Sequence, residues 1–168
     1  MPAEKLFENK VKRYLESIGV YSLGTPKQDI TEPIVGYWEK RWGGSQFTKS
    51  GLPDMHVVLH GVSIEIELKA PTGKPSELQL KNLDIISASG SHGYILVESK
   101  ATAIRLREWI SEKYPQYSNV KVIDFETFKK ICNSLKWCFF KKHIDILNNI
   151  VYNCLCQLIL VYMKGGRI

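Results

Sequence analysis

The chain has 168 residues, 44% of them hydrophobic and 24% charged, with a formal net charge of +6. These are the proportions of an ordinary globular protein, long enough for one domain with a proper core, and the sequence shows no internal repeat or low-complexity segment. The positive excess is local. Residues 1–128 hold 16 Lys+Arg against 16 Asp+Glu, whereas residues 129–168 hold 7 against a single acid, Asp145. Overall charge therefore carries no argument for a polyanionic partner of the first segment, and the tail is separately basic. Met1–Lys12 mixes charges of both signs without an apolar run, so no signal peptide is expected and the cytoplasm is the default location.

Glu4–Ile18 predicts an amphipathic helix: Phe7, Val11, Tyr14, Leu15 and Ile18 recur at three and four, and Gly19 ends it. Tyr21–Ser50 reads as irregular, with short strands near Ile34–Trp38 and Ser45–Thr48. A hairpin follows at residues 55–69. Ser76–Ala88 predicts a second helix, Gly93–Glu98 a buried strand, Ala101–Tyr114 a third helix and Val120–Asp124 a last strand, with helix again from Phe125. That order predicts an α/β sandwich with a mixed sheet.

Residues 51–69 carry the chemistry. Val62–Lys69 alternates strictly, with Val62, Ile64, Ile66 and Leu68 on one face and Ser63, Glu65, Glu67 and Lys69 on the other. His60-Gly61 makes the corner, and Gly51-Leu52-Pro53-Asp54 is a turn that brings one more carboxylate to the head of the preceding strand. A solvated face explains the alternation, but two acids beside a lysine are a costly choice for one. Carboxylates on adjacent strands can share a hard divalent cation through oxygen ligands. A lysine beside that ion can hold or polarise the attacking water, which is the arrangement of metal-assisted phosphodiester hydrolysis.

Pro53-Asp54 and Glu67-Leu68-Lys69 match the two halves of the PD-(D/E)xK signature. The longer string Lys49-Ser50-Gly51-Leu52-Pro53-Asp54, Glu67-Leu68-Lys69-Ala70-Pro71, Lys74-Pro75-Ser76 and Gln79 resembles the VRR-NUC branch of that nuclease superfamily, found in phage and bacterial genomes. The resemblance covers about residues 3–128. It implies a restriction-endonuclease-like fold, with a mixed sheet flanked by helices, and an endonuclease acting on DNA with Mg²⁺, for which Mn²⁺ can substitute. It further implies Asp54, Glu67 and the Leu68 carbonyl as metal ligands and Lys69 as the catalytic lysine. An acid on the first helix is expected to face the metal: Glu8 is the choice, with Glu4 one turn earlier as its competitor, although a solvated helix face explains both. Gln79 is expected near the site, and it is equally the last residue of a Ser76-x-x-Gln79 capping box.

Other residues carry weaker signals. Glu65 either supports an outer-shell water or faces solvent. Lys40, Arg41 and Lys49, set among Tyr37, Trp38, Trp42 and Phe47, are the DNA-contact candidates, since basic groups meet phosphates while rings stack on bases or simply pack in the core. His56, His60 and His92 lack the spacing of a ββα-metal motif and read as structural, and Gly43-Gly44 reads as a turn. The rival reading from another class is a non-catalytic DNA-binding or assembly module that keeps the fold.

The tail, residues 129–168, holds all four cysteines, Cys132, Cys138, Cys154 and Cys156, at no zinc-like spacing; free thiols are expected. Ile144–Met163 has the length of a bilayer span, yet Asp145, Asn149, Asn153 and Gln157 draw a polar stripe every four residues. A helix packed on the domain or against a second copy, giving a homodimer, is preferred to a membrane span.

Overall fold

The computed structural model describes residues 2–41, 50–139, 141 and 144. The strand expected at Ser45–Thr48, Lys49, Cys154, Cys156 and nearly all of the Ile144–Met163 helix lie outside the described residues. The chain divides into two compact units, Met1–Cys132 and Asn133–Ile168. The expected boundary was residue 128.

Helix α1, Ala3–Ser17, buries Phe7, Val11 and Leu15 at intervals of four and stops where Gly19 turns left-handed at φ 85°. Strand β1, Val20–Ser22, follows inside a stretch that reads as irregular in sequence; three residues are too few to show a period. Strand β2, Gly36–Lys40, then begins a run of antiparallel pairs with β3, Met55–Leu59, and β4, Val62–Lys69. The β3–β4 corner is a two-residue turn with both centres at positive φ, His60 at 50° and Gly61 at 80°, as a type I′ hairpin requires. Helix α2, Glu77–Ala88, strand β5, His92–Val97, helix α3, Lys100–Lys113, and strand β6, Lys121–Asp124, complete the sheet, and helix α4 takes residues 125–139.

The result is a six-stranded mixed sheet in the order β1-β2-β3-β4-β5-β6, with β1–β2, β4–β5 and β5–β6 parallel and the central pairs antiparallel. Helices flank it. Leu80 and Leu83 of α2 and Ala103, Leu106 and Ile110 of α3 pack on Ile95, Val97 and Val122. Phe7 and Tyr14 of α1 meet Phe125 edge-on, at 5.8 Å and 5.6 Å between ring centroids.

Register assigns the faces. Glu67 pairs with Ile95 and Lys69 with Val97, so these two polar side chains point to the α2/α3 side. Ile66 and Leu68 point to the other. The face of Ser63, Glu65, Glu67 and Lys69 is not a solvated one along its length: Ser63 is exposed, but β4 is a central strand, and Glu65 and Glu67 are buried with the apolar residues. Among the described residues no helix is long and apolar enough to cross a membrane.

Candidate active site

The site forms where β3 stops and β4 continues. The β3–β4 ladder ends at Met55↔Ile66, leaving Leu68 beyond its partner strand. Asp54 fills the gap with its side chain: Oδ2 accepts from the Leu68 backbone N–H at 2.8 Å, while the Asp54 carbonyl accepts from the Arg41 N–H at 2.9 Å. In an antiparallel pair the N–H and C=O of one residue lie on the same edge. The Leu68 carbonyl therefore points into the gap that Asp54 occupies.

Glu67 is 1% exposed. Its Oε1 accepts from Lys69 Nζ and, at 2.5 Å, from Gln79 Nε2. Its Oε2 is buried with no hydrogen-bond partner. Burial first, and then the neighbouring Asp54 charge, push the Glu67 carboxyl up to about 7, against the opposing pull of Lys69. Burial likewise raises Asp54, offset in part by the Leu68 N–H. A half-buried carboxylate, Asp54, raises the proton affinity of a buried one, Glu67, whose second oxygen is orphaned, so the pair is short of positive charge.

The two helix acids stand in different surroundings. Glu8 is buried, and although burial opposes its charge, Lys12, Lys40 and Lys5 together hold its carboxyl down at about 2. Lys5 Nζ lies 3.0 Å from Oε1 and Lys40 Nζ 2.7 Å from Oε2, with Lys12 also on Oε1. Glu4, exposed and one turn earlier, is instead the helix acid whose field raises both Asp54 and Glu67.

Gln79 performs both of its expected structural acts. The capping box is present, with Ser76 Oγ accepting from the Gln79 N–H at 3.3 Å and Gln79 Oε1 accepting from the Ser76 N–H at 2.9 Å. Its amide nitrogen remains for Glu67. Glu65 does not face solvent: Arg41 grips it in a fork at 2.8 and 2.9 Å, and His56 Nδ1 donates to it at 2.9 Å. Lys40 and Arg41 thus direct their charges to Glu8 and Glu65. Nothing in the sequence period links Arg41 to Glu65 across 24 residues; β2–β3–β4 pairing does.

The remaining candidates sit apart from the carboxylate pair. His92 Nδ1 lies 3.3 Å from Tyr94 Oη, and Cys132 is buried, its thiol pushed up to about 12 by that burial. Among the described residues no three His, Cys, Asp or Glu side chains converge as a metal-binding group. Asp54 and Glu67 are two such side chains, and the third oxygen available in the gap is a main-chain carbonyl.

No family model matches the chain, and neither a curated protein nor a solved structure matches it significantly.

Proposed function

We propose that the chain is a divalent-metal-dependent deoxyribonuclease of the PD-(D/E)xK class, of the VRR-NUC type that its motif string resembles. The observation that carries this reading is the buried Glu67 Oε2, which has no hydrogen-bond partner and lies on a carboxylate whose proton affinity the Asp54 charge raises. A hard cation held by oxygens is the natural complement of that pair. The donor set fits: one oxygen each from Asp54 and Glu67, with the Leu68 carbonyl directed to the same gap.

A bound Mg²⁺ or Mn²⁺ supplies charge to stabilise the phosphate in flight and acidifies a water at neutral pH. The chain supplies the positioning. Gln79 and Lys69 hold Glu67 through the same oxygen and leave Oε2 for the ion. The Lys69 ammonium, fixed against Glu67, is a donor that orients the attacking water and answers negative charge on the phosphate. Glu4 adds a third negative charge from the start of α1. Lys40 and Arg41, at the end of β2 beside Asp54, are basic residues for the flanking DNA strand. Displacement is direct, without a covalent protein intermediate.

The test is incubation of the full chain with linear, nicked, flapped and branched DNAs, with Mg²⁺ and with EDTA. Metal-dependent cleavage, lost in Asp54→Ala, Glu67→Ala and Lys69→Ala, is expected. Binding without cleavage under any metal would instead favour a non-catalytic DNA-binding module.

A further inference from the structure

The cations around Glu8 exceed what one carboxylate needs. A buried acid is costly unless paired, and a single well-placed cation suffices to pair it. Here three ammonium groups from two elements meet one carboxylate: Lys5 and Lys12 from α1, and Lys40 from the end of β2. Lys40 also acts on the Asp54 charge, so the excess over what Glu8 needs rests on Lys5 and Lys12. The contrast is Glu65, where Arg41 and His56 balance the acid with no comparable surplus.

The cluster is held but not sealed. The Lys5 side chain is 42% exposed, Lys40 21% and Lys12 19%, whereas Glu8 is 7%. Lys12 is further fixed over the Trp38 ring, 4.9 Å from its centroid. The ordering cost of gathering three lysines is thus met by the fold before any ligand arrives. Position adds to this. Lys40 pairs with Met55 in the ladder, and the next residue, Arg41, is bonded through its N–H to the Asp54 carbonyl at 2.9 Å. The surplus charge therefore stands at the end of the sheet that carries the carboxylate pair, on the α1 side, while Lys69 and Glu67 point to the α2 side.

We propose that Lys5, Lys12 and Lys40, gathered by Glu8, form a docking site for one backbone phosphate of the nucleic-acid strand beside the carboxylate pair. The identity of the strand rests on the nuclease reading above. Glu8 acts in this site as the organiser of cations and not as a metal ligand. Phosphate contacts of this kind fix register and are insensitive to base sequence.

The experiment is DNA binding by fluorescence anisotropy in EDTA, as a function of salt, for the wild-type chain and the double variant Lys5→Gln, Lys12→Gln. Losing one phosphate contact makes the slope of log affinity against log salt shallower by about 0.9 on duplex DNA. That result, in a variant still folded by circular dichroism, supports the site. An unchanged slope, or a wild-type chain with no salt-dependent affinity for DNA, overturns it. Should the double variant not fold, Lys5→Glu leaves Lys12 and Lys40 on Glu8 and is read by the same two outcomes. Because no cleavage enters the measurement, failure of the nuclease reading shows separately, as wild-type binding without metal-dependent hydrolysis.

Discussion

Gln79 bonds Glu67 through its amide nitrogen at 2.5 Å and the Ser76 backbone through its amide oxygen at 2.9 Å, so one side chain both starts a helix and restrains a buried carboxylate. Gln79→Ala should therefore lose on two counts. The lost half of the capping box costs about 1 kcal/mol, read as a lower melting temperature. Glu67 also loses its second donor, and cleavage should fall tenfold or more. Gln79→Glu separates the two: its carboxylate still accepts from Ser76, yet it repels Glu67. The cap is kept, so any fall in melting reports that repulsion alone, and strongly reduced cleavage is expected. Wild-type cleavage in both variants would remove Gln79 from the site.

The pH dependence of the metal-free protein follows from Glu67. Burial and the Asp54 charge raise its carboxyl from the ordinary 4.5 to about 7. A raised folded value means the folded state holds the proton more tightly, so this contribution is full below pH 4.5 and is lost as pH rises through about 7. A shift of this size corresponds to on the order of 3 kcal/mol. In EDTA the melting temperature should fall between pH 5 and pH 8, and Glu67→Gln should flatten that fall while abolishing Mg²⁺-dependent cleavage. With Mg²⁺ present the order reverses, because the ion binds the deprotonated carboxylate and releases its proton. A melting temperature independent of pH from 5 to 8 in EDTA would contradict this account of Glu67.

Much of this was legible in the chain, for identifiable reasons. The hairpin announces itself because Val62–Lys69 alternates over a full eight residues and His60-Gly61 supplies the two positive φ values. The Ser76 capping box is a local code and appears as written. What sequence cannot carry is which of two equivalent positions a partner selects. Glu4 and Glu8 are one helical turn apart on one face; Lys5 and Lys12 reach Glu8 at helical spacing, but Lys40, brought from β2 at a separation of 32 residues, joins them only through the fold. Strict alternation likewise cannot distinguish a half-exposed strand from a central one. The acid face of β4 is buried because α2 supplies Gln79 to it, which no period in β4 records.

Gly19 should tolerate no side chain. It stands at φ 85°, and a Cβ there would lie 2.1 Å from the Pro33 carbonyl oxygen. Its own carbonyl accepts from the Val35 N–H at 2.9 Å, which ties the approach to β2 onto the end of α1. The left-handed conformation alone costs a residue with a side chain about 1–3 kcal/mol, and displacing Pro33 adds to it. Gly19→Ala should lower the denaturation midpoint with an unchanged slope against denaturant. A midpoint equal to that of the wild type would show that the α1–β1 turn is freer than its geometry indicates.

Glu4 and Glu8 should separate under the same substitution. Glu4 is exposed and its charge acts on Asp54 and Glu67, so Glu4→Gln should leave melting almost unchanged and weaken the apparent affinity for Mg²⁺ in cleavage. Glu8 is buried under three lysines, with its carboxyl lowered from 4.5 to about 2. A lowered folded value means stability present above pH 4.5 and lost as pH falls toward 2. Discounted for the partial exposure of the lysines, this amounts to on the order of 2 kcal/mol. Glu8→Gln should therefore lower the melting temperature at pH 7, because three lysines then repel each other without a counter-charge. It should also remove part of the acid sensitivity between pH 4.5 and pH 3. Its effect on Mg²⁺ affinity should be small. The reverse pattern, with Mg²⁺ affinity lost in Glu8→Gln and kept in Glu4→Gln, would return the metal-facing role to Glu8.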